Sequence, residues 1–366
     1  MLTILVETLT CTESAPVLTL DMARGLSKNG VTVYIVINSR IENLEAWRRE
    51  FDDTNIYLWE DNICGINKLS IPLNIIRMRR KFNKVKFDYI ITNGITKKSL
   101  LMKKCLNAEE NIAILHDVIP HSSTHGKDTQ YINNVIKKAD NIMVLSKIFI
   151  PIVSEQFNKK TQNIFYMRHG LMEYPVNKTE FEQKTNDYAV NFLFFGRIDG
   201  YKGLHVLARA YGKLVELNDN ISLTVAGNGD FSEYAKEFEA LKNVSIINKY
   251  ISDSELAFLF SKPNTVVVLP YTDATQSGVI GIAYNYLTPI IASDTGGLKE
   301  QLFDGEAGIF VKPNDAEDLF DKMLMTVNNR SIYEEQKRLM EKTYKKMTWE
   351  YITGELAESL SEHKNK

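Results

Sequence analysis

The chain has 366 residues, 44% of them hydrophobic, and a formal net charge of −2 at pH 7, enough apolar material for two cores of about 100–200 residues each. The near-neutral balance, with no aromatic-interleaved basic patch, argues against a nucleic-acid partner, and no apolar run approaches the ~20 residues that a membrane-spanning helix needs. Charge is unevenly shared: 23 basic residues face 17 acidic ones through Gly170, and 21 face 29 beyond it, so the first half suits an anionic partner. Cys11, Cys64 and Cys105 fall at no metal-ligand spacing and fit a reducing compartment. With no basic leader before the first apolar run, the expected location is cytoplasmic.

In chain order, Leu2–Val6 reads as a strand, Ser14-Ala15-Pro16 as a helix start, Gly30 as that helix's end and Val31–Ile37 as the next strand. Apolar runs at Phe87–Thr92, Ile112–Leu115, Ile142–Leu145 and Ile164–Met167, separated by helix-length intervals, predict a doubly wound sheet of six or seven strands. Between them Ile71, Ile75, Met78, Phe82 and Val85 recur at helical spacing, with Arg77, Arg79, Arg80, Lys81, Lys84 and Lys86 among and beside them. This amphipathic helix either docks its stripe on the sheet or lies on an anionic membrane surface, and the six cations favour the membrane, which would make the protein peripheral on the inner face of the cell membrane.

His116-Asp117 follows the run Ile112–Leu115, with Pro120-His121 just beyond. That places His116 at the carboxyl end of a strand, where open α/β sheets form clefts, although placement alone favours a structural, hydrogen-bonding histidine. The polar segment Glu173–Asp187 reads as an interdomain linker.

Phe192–Phe195 opens the second half. Gly196-Arg197-Ile198-Asp199-Gly200-Tyr201-Lys202-Gly203 then reads as a glycine-rich loop with two cations five residues apart, by itself a weak phosphate signal. Leu223–Ala226 is a strand closed by Gly227-Asn228-Gly229, and Val244–Ile247 is another, followed by Tyr250 and Ile251 in a turn. Thr265–Leu269 and Pro289–Ala292 flank the apolar helix Val279–Leu287, which makes a βαβ unit. Before that helix stand Thr275-Gln276-Ser277-Gly278, with Ser277 as N-cap. The first helical amides are left without partners, open to an anion or to an ordinary cap. Asp315–Val327 and a last helix from Thr348 to Leu360 complete the chain.

These spaced elements, followed by Ile291-Ala292-Ser293-Asp294-Thr295-Gly296-Gly297-Leu298-Lys299-Glu300, Asp304-Gly305 and Pro313-Asn314-Asp315, resemble family 4 of the retaining glycosyltransferases, of the bacterial surface-polysaccharide type. The resemblance implies the α/β GT-B fold: two Rossmann-like doubly wound domains facing a central cleft, with the C-terminal helix crossing back to the first. It places an acceptor domain over 1–175, a nucleotide-sugar donor domain over 188–345 and the returning helix over 346–366.

By the same resemblance, Gly196, Arg197, Lys202 and Gly203 hold the donor diphosphate, Gly227 lies beside the nucleotide, and Tyr250 and Ile251 offer backbone to the base. Thr275, Gln276, Ser277 and Gly278 meet the donor, His116 contacts its sugar, and Ser14 and His121 face the acceptor. The catalytic set is His116, Arg197 and Lys202. The family's paired glutamates are absent, their positions falling on Ala274 and Ile282, as are the paired glycines of its first turn. The implied reaction moves a sugar with retention from a nucleotide sugar to a glycan or lipid-linked acceptor. No cofactor or metal is expected, since no Asp-x-Asp pair accompanies the donor motifs. An epimerase or phosphorylase on the same fold and a catalytically inactive donor-binding protein are the alternatives.

Overall fold

A computed structural model describes residues 1–11, 14–62, 70–94, 96–119, 127–172 and 188–365. The chain divides into two compact units, one comprising Met1–Val118, Gly126–Arg168 and Thr348–Lys366, the other Ile119–His125 and His169–Met347. The expected linker Glu173–Asp187 lies outside the described residues.

In the first unit the strands are β1 (Thr3–Thr8), β2 (Thr32–Asn38), β3 (Ile56–Trp59), β4 (Lys86–Asn93), β5 (Asn107–Leu115), β6 (Asn141–Val144) and β7 (Ile164–Tyr166). They form one sheet in the order β3-β2-β1-β4-β5-β6-β7, with parallel pairing throughout. β-branched runs such as Ile35-Val36-Ile37 and Ile90-Ile91 are buried on both faces of the sheet, as a parallel sheet covered by helices requires. The strand order reverses between β1 and β4, and β1 carries a carboxylate into the interior just there: Glu7 is 3% exposed and its Oε2 accepts from Ser99 Oγ at 3.0 Å.

The helix Trp349–Lys364 belongs to this unit and packs on the helix Ser14–Lys28. Asn29 Nδ2 donates to the Glu350 carbonyl at 2.8 Å and to Thr353 Oγ1 at 3.1 Å, and Tyr89 Oη donates to the Leu360 carbonyl at 3.0 Å. The C-terminal helix thus crosses back to the N-terminal half, as the fold class implies.

The helix Ser70–Lys81 corrects one expectation. Met78 is fully buried, Phe82 is 2% exposed, and Ile71, Ile75 and Val85 pack against the same cluster, which contains Leu5, Trp59 and Phe87. The apolar stripe that was to enter a membrane is instead the seat of the helix on its sheet, because the strands below present an apolar face that must be covered. Arg77, Arg79, Arg80, Lys81, Lys84 and Lys86 remain exposed on the solvent side. No helix among the described residues is long and apolar enough to cross a membrane.

The second unit holds β8 (Val190–Phe195), β9 (Ile221–Gly227), β10 (Val244–Asn248), β11 (Thr265–Leu269), β12 (Ile290–Ser293) and β13 (Ile309–Val311), parallel in the order β10-β9-β8-β11-β12-β13. Its core is aromatic, with Phe192, Phe194, Tyr211, Tyr271 and Tyr284 fully buried. Order reverses between β8 and β11, so the loops leaving those two strands flank the crevice where ligands of open α/β sheets bind.

Candidate functional site

The loop after β8 is tied to its neighbours through the backbone. Gly196 N–H donates to the Ala226 carbonyl at 3.0 Å and Ile198 N–H to that of Asn228 at 2.9 Å, which lays Gly196–Ile198 along the Gly227–Gly229 turn. Gly203 then starts the helix Leu204–Leu217 with φ +70°, and a Cβ there would lie 1.9 Å from the Pro270 carbonyl oxygen. Only glycine fits so close an approach in the left-handed region. The β8 and β11 loops are further joined where Thr272 N–H and Oγ1 donate to the Tyr201 carbonyl at 2.9 and 3.2 Å.

The two cations of this loop sit in different surroundings. Arg197 is 66% exposed, with its guanidinium 3.8 Å from Asp199, free to swing onto a bound anion. Lys202 is only 8% exposed, its Nζ 3.8 Å from the ring centre of Tyr271 and 4.9 Å from that of Tyr201. Burial pushes the Lys202 ammonium below the ordinary lysine range, since desolvation penalises the charged form.

The β11 loop leads into the helix Gly278–Tyr286, and Ser277 occupies the N-cap position with extended φ and ψ. Its hydroxyl does not cap the helix, contrary to expectation. Ser277 Oγ lies 3.2 Å from Tyr271 Oη, and the Ser277 N–H and carbonyl are both taken by the buried Gln301 side chain, at 2.8 and 3.3 Å. The turn is therefore braced from outside, and Gly278 and Val279 supply the leading amides, which have no carbonyl one turn back to bond. Thr275 is buried, and Gln276 Oε1 is buried without a hydrogen-bond partner among the described residues. Ala274 and Ile282, at the positions of the missing glutamates, are both 3% exposed and belong to the core.

Gly196, Arg197, Lys202, Gly203, Gly227 and Thr275–Gly278 thus gather at the carboxyl end of one sheet. At its edge, after β10, Tyr250 is 80% exposed while Ile251 turns its side chain inward, so Ile251 has only its backbone to offer a ligand. His116 belongs to the first unit, at the end of β5, where its Nε2 lies 2.7 Å from Asn93 Oδ1 at the end of β4. A carboxamide oxygen only accepts, which assigns the proton to Nε2 and leaves Nδ1 as the acceptor. Burial holds the imidazole below the ordinary histidine range, hence neutral near pH 7. Ser14 begins the helix Ser14–Lys28, but its side chain and all of His121 lie outside the described residues.

Sequence reasoning missed Tyr271, Gln301 and Asn93. Gln301 had a signal, being a polar residue beside Leu298 and Leu302 on the buried face of a short helix. Tyr271 and Asn93 look like ordinary strand-end residues, and only their neighbours give them a role.

Residues 176–346 match the family described as Glycosyl transferases group 1. Among curated relatives, an uncharacterized glycosyltransferase of Methanocaldococcus jannaschii is 28% identical over 247 residues, covering 63% of this chain and 65% of that protein. A second from the same organism is 24% identical over 231 residues, covering 58% of each; the chain spans about three-fifths of the length of these two relatives. Among solved structures, Anabaena HepE in complex with UDP and glucose aligns with TM-score 0.71 at 14% identity, over 99% of this chain and 100% of that one. The chain has the two-domain α/β fold of the GT-B glycosyltransferases.

Proposed function

We propose that the chain is a retaining glycosyltransferase of the cytoplasm. It moves a sugar from a nucleotide donor to a glycan or lipid-linked acceptor in surface polysaccharide synthesis. The observation that carries this reading is the convergence of Arg197, Lys202 and the amino terminus of the helix Gly278–Tyr286 at the β8/β11 reversal. Two cations and a helix start on the loops that leave β8 and β11 suit a diphosphate leaving group, whose negative charge grows in the transition state. The occurrence of UDP and glucose in the complex of the Anabaena structure supports a uridine donor.

In this reading the diphosphate rests on Arg197, Lys202 and the Gly278 and Val279 amides, while the orphan Gln276 Oε1 accepts from a donor-sugar hydroxyl in place of the absent glutamate. His116, which the family resemblance assigns to the donor sugar, keeps Nδ1 as an acceptor. The acceptor hydroxyl attacks from the face that the diphosphate leaves and gives its proton to the departing phosphate oxygen, so the anomeric configuration is kept. Stabilising that leaving group is the protein's largest contribution.

The test is to incubate the protein with UDP-, GDP- and ADP-sugars in water and follow the released sugar by NMR. Slow release with the donor's anomeric configuration is expected. Release with the inverted configuration, or interconversion of two nucleotide sugars, overturns the reading.

A further inference from the structure

Tyr271 holds a place that neither the charge pattern nor the glycine-rich loop explains. It follows Pro270 at the end of β11 and is fully buried. One face of its ring lies 3.8 Å from Lys202 Nζ, and its hydroxyl lies 3.2 Å from Ser277 Oγ. Tyr201 stands edge-on to it, with ring centres 6.2 Å apart, and closes over the same ammonium at 4.9 Å. A buried ammonium against aromatic faces is stabilised by their quadrupoles, more strongly than at a wet surface. Contact with a ring face leaves other N–H groups of the ammonium for an anion, since lysine has three.

The far end of the same ring acts on the other anion-holding element. Ser277 is the residue before the helix Gly278–Tyr286 and sets the direction in which the first amides point. Its backbone is gripped by Gln301 and its side chain meets Tyr271.

We propose that Tyr271 is a positioning residue for the donor diphosphate, one side chain whose ring seats the Lys202 ammonium and whose hydroxyl fixes the Ser277 turn, so that cation and helix amides meet the anion together. The proposal rests on the donor-site reading above. The lowered proton affinity of Lys202 adds a consequence: the ring opposes that lowering, so removing it makes the ammonium lose its proton at still lower pH.

The experiment is calorimetric titration of the full chain with UDP, GDP and ADP, comparing Tyr271→Phe, Tyr271→Leu, Ser277→Ala and Lys202→Met, alone and combined. Tyr271→Phe keeps the ring and is expected to weaken binding about 5-fold, as for one lost hydrogen bond. Ser277→Ala should do the same, with no further loss when the two are combined. Tyr271→Leu should weaken binding by about a further 30-fold, the scale of a desolvated cation–π contact, and move the alkaline fall in affinity to lower pH.

In the Lys202→Met background the difference between Phe and Leu at position 271 should shrink to about 2-fold or less, because the coupled partner is gone. An equal Phe-to-Leu difference in both backgrounds, or additive losses for Tyr271→Phe and Ser277→Ala, refutes the proposal while leaving the donor site standing. If Tyr271→Leu lacks a cooperative thermal transition, the Phe and Ala pair decides alone. Failure of the unaltered protein to bind any of the three diphosphates removes the donor-site reading and the proposal with it.

Discussion

Gln301 closes on the backbone of Ser277 from both sides: the Ser277 amide donates to its Oε1 at 2.8 Å, and its Nε2 donates to the Ser277 carbonyl at 3.3 Å. A buried side-chain amide here does what a neighbouring strand does in a sheet, and it does so at the one turn that aims a helix start at the proposed diphosphate. Gln301→Ala leaves the Ser277 amide unpaired inside the protein, at a cost of about 1–3 kcal/mol, while the Ser277 carbonyl keeps the Ile280 N–H at 3.2 Å. A lowered melting temperature and weaker UDP binding are expected together. Gln301→Glu, which keeps only the accepting end, should fall between; full UDP affinity in the Ala variant would show that the turn holds itself.

Arg197 and Lys202 are assigned to charge that develops as the bond to the diphosphate breaks. Arg197→Ala and Lys202→Ala should each lower turnover by about 10²–10³-fold, the range seen when one preorganised donor is removed. Single-turnover rates at saturating donor separate this from weaker binding. The Arg197 variant should melt like the unaltered protein because that side chain is 66% exposed; a wholly structural effect would show the reverse pattern.

His116→Ala should reduce turnover and leave nucleoside diphosphate affinity unchanged, since the proposed contact is to the sugar. The neutral imidazole also sets the shape of the pH profile. With its proton affinity lowered by burial, activity should fall on the acid side only below the ordinary histidine range. Asn93→Asp puts a carboxylate against Nε2–H, favours the imidazolium and should carry that acid limb to higher pH. An unmoved limb would detach His116 from the reaction.

Gly296 has φ +51°, and a Cβ on it would lie 1.4 Å from the Ala274 carbonyl oxygen. Gly296→Ala therefore cannot keep the stitch in which Gly297 N–H donates to the Thr275 carbonyl at 3.0 Å. A loss of about 1–3 kcal/mol is expected from the clash, read by urea unfolding, with UDP binding lost at the same time.

Glu7 gives stability a pH dependence of unusual sign for a carboxylate. Burial pushes it from its ordinary 4.5 up to about 7, against the opposing hydrogen bond from Ser99 and the charge of Lys98. The native state therefore holds a proton between pH 4.5 and 7 that the unfolded chain has released, so stability falls as pH rises through that window. The full effect is about 3 kcal/mol. Glu7→Gln should melt higher than the unaltered protein at pH 8 and equally at pH 4.5; a gap that does not change with pH would assign the difference to packing.

The long strands were legible because β-branched runs such as Thr265–Leu269 have few other uses in a folded chain. β3 and β13 were not: Ile56–Trp59 and Ile309–Val311 carry aromatic residues among few β-branched ones, and their strand character comes from the neighbour each pairs with. The first residues of β5, Asn107–Glu110, include three polar ones and alternate between exposed and half-buried before the buried Asn111, so hydrophobicity alone started that strand too late. Of the candidate site, the glycines and the cations could be read, because each residue type answers a local demand for space or charge.

By itself the sequence determined strands alternating with helices in both halves, a glycine-rich cationic loop at the end of β8 and a polar turn before an apolar helix, since periodicity, glycine and charge all act within a few residues. The tertiary structure alone decided that the stripe Ile71–Val85 covers its own sheet, that Lys202 lies against Tyr271, and that Gln301 rather than the Ser277 hydroxyl holds the turn. An apolar face states that it must be covered, without saying by what. A hydrogen bond between residues 24 apart exists only once packing has brought them together.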